Sequence, residues 1–268
     1  MNRPAPRPMG PGRRPPFPGS IGWLEQLGLA WHTLRACGDL YRRILVGQAR
    51  LDMPAFAMAL RHAGLSILPA ITLVAVALGM ILGNQTQAVL ARLDLPGLAL
   101  LSMVYLIVME LVPVLVGILV AGRAGVALAV RQATLGVSGE IDGLLVQGVD
   151  PLSFTVGPAL LAMLLMSFAL AVWTTVVTVL AAFLWLWNLV GLSPALFVAA
   201  LQQALTPGDL ALAFGKPLLF ALVIALIAAV QGTLAGRDPA GVARAATRTM
   251  IGAVVAILII DLVLVLRP

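Results

Sequence analysis

The chain has 268 residues, of which 61% are hydrophobic and 10% are charged, and its mean hydropathy is +1.04. A soluble domain carries about 25% charged residues, so this composition excludes a soluble protein and indicates an integral membrane protein. The formal charge of +6 comes without a basic stripe of interleaved aromatic residues, which argues against nucleic acid and for positive-inside topology and anionic lipid headgroups.

The N-terminal part is the most polar region. Residues 1–20 are rich in Pro, Arg and Gly and lack an apolar core, which predicts a disordered tail and no signal peptide. In residues 21–63, apolar side chains from Trp23 to Cys37 recur every three or four positions. This pattern predicts an amphipathic helix in the membrane interface, the alternative being a helix against a soluble partner. Cys37 is the only cysteine, so neither an intrachain disulfide nor a cysteine metal site is expected.

Five apolar stretches follow, each long enough for a membrane-spanning helix, and their uniformly apolar character favours helices over a β-barrel. They lie at about 65–85, 98–121, 155–190, 210–231 and 247–266. The sequence therefore predicts an all-α integral membrane protein, with an interfacial helix followed by a five-helix domain at 64–268.

Arginine counts decide whether the third span is one helix or two. With one helix, fourteen of the sixteen arginines fall on the same side of the membrane; with two, the three arginines of 232–248 would lie opposite the rest. The positive-inside rule therefore predicts a cytoplasmic N-terminus and an outer C-terminus. The segment 191–209 then forms a short outer helix.

Five residues in four of the spans suggest helix contacts or function. Gly79 and Gly83 form a GxxxG pair, which favours close helix packing, although a Gly-rich chain also produces such pairs by chance. Glu110, Lys216 and Asp261 lie inside apolar spans, where each charge costs about 2.5–3.5 kcal/mol. We expect Lys216 to pair with a carboxylate, either as a structural bridge or as the lining of a headgroup pathway.

The segment from 109 to 151 has the features of a coupling region. We predict that the chain leaves the membrane in a small-residue turn at 121–125 and then forms a helix at about 134–149. Ser138 is the expected N-cap, and Glu140 and Asp142 would favour the helix dipole. The alternative is an amphipathic helix resting on the membrane. The chain has no nucleotide-binding loop, so if transport is energised the nucleotide chemistry belongs to a separate ATPase subunit, which would bind ATP and Mg.

Several motifs occur together in a fixed order. They are LGMILGNQ at 78–85, ELVP at 110–113, AGRAG at 121–125, GVDP at 148–151, Lys216, and GVARAATR at 241–248 followed by Asp261. In these residues the chain resembles the MlaE family of lipid ABC-transporter permeases, which includes the YrbE and TGD permeases. The resemblance covers about residues 20–266.

The resemblance implies a non-enzymatic permease in the bacterial inner membrane, dimeric, with a periplasmic C-terminus. It implies three partners besides the second protomer: a cytoplasmic ATPase, a periplasmic MCE-domain protein and phospholipid held between the protomers. A small STAS-type accessory subunit is an optional fourth. Glu110, Lys216 and Asp261 would serve transport. The residues expected to serve ATPase coupling are Arg123, Arg131, Glu140, Asp142 and Asp150.

Three departures from the family pattern fall on this segment. Met109 stands where the family usually has Arg, Arg131 stands where an acid is usual, and Glu140 displaces the usual acid by one position. We hypothesise a divergent paralogue with its own ATPase, or one half of a heterodimer. Replacing Arg131 with Glu should then change ATPase binding.

Two other functions fit the same residues. An ion-coupled secondary transporter would use Glu110, Lys216 and Asp261 as coupling charges and need no ATPase. A membrane scaffold without transport would hold no lipid between its protomers.

Overall fold

The computed structural model describes residues 21–47, 53–93, 96–148, 150–236 and 238–266. The tail expected at 1–20 lies outside these residues. The described part contains eleven α-helices and three π-helical segments, at Arg61–Leu65, Ile107–Leu111 and Ala121–Gly125. The helices are α1 (Ile21–Leu45), α2 (Met53–Leu60), α3 (Leu68–Leu93), α4 (Pro96–Leu106), α5 (Val112–Val120), α6 (Val126–Ser138), α7 (Glu140–Val146), α8 (Pro151–Val190), α9 (Pro194–Ala204), α10 (Pro207–Thr233) and α11 (Pro239–Val265).

Within the described residues, five helical stretches are long and apolar enough to cross a membrane, which confirms the predicted number of spans. They are Met53–Val89, Ala99–Ser138, Pro151–Val190, Pro207–Thr233 and Pro239–Val265. The third is the single helix α8 of 40 residues, and not two helices. The first begins at Met53, so it includes residues 53–63, which the sequence pattern grouped with the interfacial region.

Four helices begin with the same local signal, a short polar N-cap followed by proline. The cap side chain accepts a hydrogen bond from a backbone N–H of the first turn, and proline at the first helical position has no N–H to leave unpaired. The four pairs are Asp150-Pro151, Ser193-Pro194, Thr206-Pro207 and Asp238-Pro239. The sequence therefore fixes the start of α8 to α11 locally.

Helix α8 is the centre of the bundle. It packs along α3 and α10, and it also contacts α1, α2 and α5. Helix α6 packs between α10 and α11. The core between these helices is made of apolar side chains such as Ile71, Leu170, Phe220 and Ile257, all of them fully buried.

The prediction of a small-residue turn at 121–125 is wrong. Ala121–Gly125 is a π-helical segment within one continuous helix that runs from Ala99 to Ser138. The small side chains serve packing instead, because a Cβ on Gly125 would lie 2.6 Å from Cγ2 of Ile224 in α10. The second span therefore extends to the coupling segment without a break.

Candidate functional site

The three charged residues of the apolar spans meet in one cluster, as expected from their positions. The Lys216 ammonium lies 3.1 and 3.0 Å from the two carboxylate oxygens of Glu110 and 2.9 Å from Oδ1 of Asp261. The Lys216 side chain is 3% exposed, against 29% for Glu110 and 15% for Asp261. We call Glu110, Lys216 and Asp261 the charged cluster; it joins α10, α11 and the π-helical segment Ile107–Leu111.

A backbone carbonyl completes the surroundings of the ammonium. Lys216 Nζ donates to the carbonyl oxygen of Met109 at 2.8 Å. Pro113 lies four residues after Met109 and has no N–H, so this carbonyl lacks its ordinary α-helical donor. The lysine therefore satisfies an acceptor that the proline leaves open. The same ammonium is within hydrogen-bond distance of both Glu110 carboxylate oxygens, and it forms an ion pair with Asp261.

The charge of the cluster does not balance when both carboxylates are ionised. Met109, which precedes Glu110, is buried among apolar residues and brings no charge to the cluster. In the described part of the chain, Lys216 is the sole base within ion-pair distance of Glu110 or Asp261. The cluster thus has one cation and two anions, and Glu110 is its most accessible member.

The coupling segment is shorter than the expected helix at 134–149. Helix α6 continues to Ser138, and Gly139 adopts φ +78°, a conformation that glycine permits and that ends the helix. Ser138 is therefore not an N-cap; its hydroxyl donates toward the Leu135 carbonyl and lies 3.1 Å from Glu140. Helix α7 is a separate unit of seven residues, none of which is buried.

The residues expected to serve coupling are spread over several elements. Glu140 and Asp142 lie in the first turn of α7, whereas Arg131 is half-buried in α6 and Arg123 is exposed in Ala121–Gly125. Asp150 is the N-cap of α8, where it accepts from the backbone N–H groups of its first turn at 3.2 and 3.1 Å. The structure thus gives Asp150 a structural contact and leaves Glu140 exposed.

A buried polar pair beside this segment was not apparent in the sequence. The Thr155 hydroxyl donates to Oε1 of Gln132 at 2.9 Å, and both residues are buried. The bond joins α6 to α8, the two helices that flank α7. A glutamine on the buried face of α6 was the available signal, but its partner depends on which helix faces meet.

Gly79 and Gly83 lie where α3 crosses α8. A Cβ on Gly79 would contact the Thr178 carbonyl oxygen and lie 2.7 Å from the Ala181 Cβ. A Cβ on Gly83 would lie 3.1 Å from Cδ1 of Trp185. The absence of side chains at these positions permits the close approach of the two helices.

Helix α1 is attached to the bundle through one face. The Tyr41 hydroxyl donates to the Gly157 carbonyl of α8 at 2.7 Å, and Thr33 and Cys37 are buried on the same side. Burial raises the pKa of the Cys37 thiol to about 11, and the Asp150 carboxylate adds to this shift. Exposed Trp31 lies on another face, with the Arg35 guanidinium 4.7 Å from its ring centroid.

We expect Cys37 to resist thiol reagents in the folded protein. With a pKa near 11, only about one thousandth of the thiol is ionised at pH 8, and the thiolate is the reactive form. Maleimide should therefore label Cys37 only after denaturation in SDS, as measured by a gel shift. The matched control is Gly38→Cys in a Cys37→Ala chain, since Gly38 is exposed, and it should label at once. Equal rates for the two thiols would contradict the docked position of α1.

The family model described as Permease MlaE matches residues 56–266. A probable ABC transporter permease protein of Rickettsia prowazekii is 26% identical over 196 residues, 73% of this chain and 76% of the relative. The intermembrane phospholipid transport system permease protein MlaE of Haemophilus influenzae is 27% identical over 87% of this chain and 91% of its own. The chloroplastic protein trigalactosyldiacylglycerol 1 of Arabidopsis thaliana is 31% identical over 58% of this chain and 44% of its own.

Proposed function

The chain belongs to the MlaE permease family, and from this premise we propose that it moves phospholipid between the bacterial inner membrane and a periplasmic MCE-domain protein. A separate cytoplasmic ATPase supplies the energy. The observation that carries this proposal is the family match over residues 56–266, which includes the charged cluster and α7. A relative named for intermembrane phospholipid transport aligns over most of both chains, which supports the choice of cargo.

The proposed assembly contains two permease protomers, with phospholipid held between them. The N-terminus and the connectors richest in arginine lie in the cytoplasm, which puts α7 on the cytoplasmic side and α9 on the periplasmic side. The ATPase binds α7, and the MCE-domain protein binds the periplasmic ends of the bundle.

Helix α7 has the properties of a docking element. It is short, none of its residues is buried, and left-handed glycines at 139 and 148 flank it. The acids of its first turn give the ATPase a charged contact, and α6 and α8 lead from α7 into the membrane. Movement of α7 therefore reaches the charged cluster through α6, because α6 continues the helix that contains Glu110.

The charged cluster responds to that movement. Lys216 holds Glu110 and the backbone of the π-helical segment Ile107–Leu111 against α10. Single π-helical turns within α-helices are frequent at functional sites. Opening the contact would expose an uncompensated carboxylate to the lipid cavity. The cluster thus links the helix that leaves the ATPase contact to the two C-terminal spans.

Co-purification tests the proposal directly. The full-length chain, tagged and extracted in mild detergent from its own cells, should bring down an ATPase and an MCE-domain protein. Reconstituted with both, it should move fluorescent phospholipid only when ATP is present. A chain carrying Glu140→Arg and Asp142→Arg should keep its fold and lose the ATPase. Transport that depends on an ion gradient and needs no ATPase would contradict the proposal.

A further inference from the structure

A polar hollow lies between the interfacial helix and the coupling segment. Its volume is about 770 Å³. One wall is a single face of α1, formed by residues spaced three or four positions apart: His32, Arg35, Asp39 and Arg43. The opposite wall includes Gly148 and Asp150, between α7 and α8. We call this space the α1–α7 hollow. It shares no residue with the charged cluster.

The wall formed by α1 is held in place. Besides the Tyr41 hydrogen bond to Gly157, a Cβ on Gly157 would meet the side chain of Leu40, so the two helices approach closely there. Cys37 is buried at the same contact. The helix that carries these basic residues is therefore fixed along the hollow.

Arg43 offers the hollow a guanidinium that no described carboxylate pairs with. The Asp150 carboxylate is occupied by the first N–H groups of α8. Among the described residues, no carboxylate lies within 4 Å of the Arg43 or Arg35 guanidinium, and Arg35 is stacked on Trp31. Arg43 thus lines the space with no ion-pair partner among the described residues, while Asp39 and Asp150 supply the two carboxylates of the lining. An arginine presents several N–H donors in a plane, which suits a phosphate oxygen pair.

The position of the hollow indicates which class of anion to expect. Helix α1 is amphipathic and carries the exposed Trp31, a residue type common at membrane interfaces, and basic pockets at the cytoplasmic interface bind anionic lipid headgroups. We propose that the α1–α7 hollow binds the phosphate of an anionic phospholipid of the cytoplasmic leaflet, separate from the cargo, and so ties α1 to the end of the coupling segment. The cytoplasmic assignment rests on the proposed function.

Lipid binding to the purified full-length chain tests this site without ATPase or transport. Native mass spectrometry would measure retained phosphatidylglycerol from nanodiscs of phosphatidylcholine with and without phosphatidylglycerol. Arg43→Gln should weaken retention about tenfold, because it removes a charge-assisted pair, and Arg43→Lys should restore part of it. Size-exclusion profiles establish that each variant is folded.

Arg42→Gln is the matched control, since Arg42 is the adjacent exposed residue, loses the same charge and does not line the hollow. It should retain lipid like the wild type. Equal losses in the two variants would indicate general attraction and overturn the site. Displacement of the lipid by inorganic phosphate at equal concentration would overturn the assignment to a lipid. Failure of ATPase co-purification would count against the proposed function and would leave this measurement unchanged.

Discussion

Replacing Lys216 with methionine should abolish transport and lower the free energy of unfolding by about 3–5 kcal/mol. Lys216 is 3% exposed and holds two carboxylates and the Met109 carbonyl. Without it, Glu110 and Asp261 face each other with no base, and Met109 loses the donor that Pro113 cannot supply. Thermal unfolding in detergent and ATP-driven lipid transfer in proteoliposomes would measure the two effects.

Neutralising the partners separates structure from transport. Glu110→Gln and Asp261→Asn, added to Lys216→Met, remove the uncompensated charges and should recover most of the lost stability, because a neutral cluster has no buried ion to satisfy. Transport should stay absent, since the cluster can no longer release a charge into the cavity. If the triple variant transports lipid at the wild-type rate, the cluster is a structural bridge only.

The contacts of the charged cluster could be predicted from the sequence only in part. Ionisable residues in three apolar spans predict a pair, because isolated charges in a membrane are too costly. That one lysine serves both acids follows from how α10 and α11 pack against the second span, which periodicity does not determine. The sequence could also have predicted that the Met109 carbonyl lacks its α-helical donor, since Pro113 stands four residues after it.

The coupling segment was predicted less well because its small residues are compatible with two structures, a turn and a closely packed helix. Glycine and alanine at 121–125 suggest a turn in a sequence, yet they also allow a helix to pass close to α10, and here tertiary packing decides for the helix. The helix instead ends farther along, at Gly139, and not at the turn expected at 121–125. Local signals with a single interpretation, such as Asp150-Pro151, were more reliable.

The Gln132–Thr155 bond marks the limit of the sequence argument. In the sequence, Gln132 is an ordinary polar residue of a connector and Thr155 a mildly polar residue at the start of an apolar span, and only the contact between α6 and α8 shows that both are buried. Met109 and Arg131, the two residues expected to depart from the family pattern, fall in the same continuous helix, Ala99–Ser138. That helix connects the coupling segment with the charged cluster.

Gly79→Ala should give the second large effect, a loss of roughly 2–3 kcal/mol or of folded protein altogether. Its added Cβ meets the backbone of α8 at the Thr178 carbonyl, and backbone atoms cannot turn aside as a flexible side chain can. Because α3 and α8 share the longest contact of the bundle, separating them affects packing over several turns. The free energy of unfolding in mixed detergent and SDS would measure the change.

Two further glycine variants test whether the loss of stability comes from the crossing of α3 and α8. Gly83→Ala places its Cβ 3.1 Å from a Trp185 side-chain atom and 3.2 Å from the Ala182 carbonyl, so its cost should be smaller. Gly215→Ala, in α10, has nothing within 4 Å of the new Cβ and should be neutral or stabilising by up to about 1 kcal/mol. Equal stabilities for all three variants would mean that α3 and α8 do not cross as closely as these contacts require, and the GxxxG pair would then have no packing role.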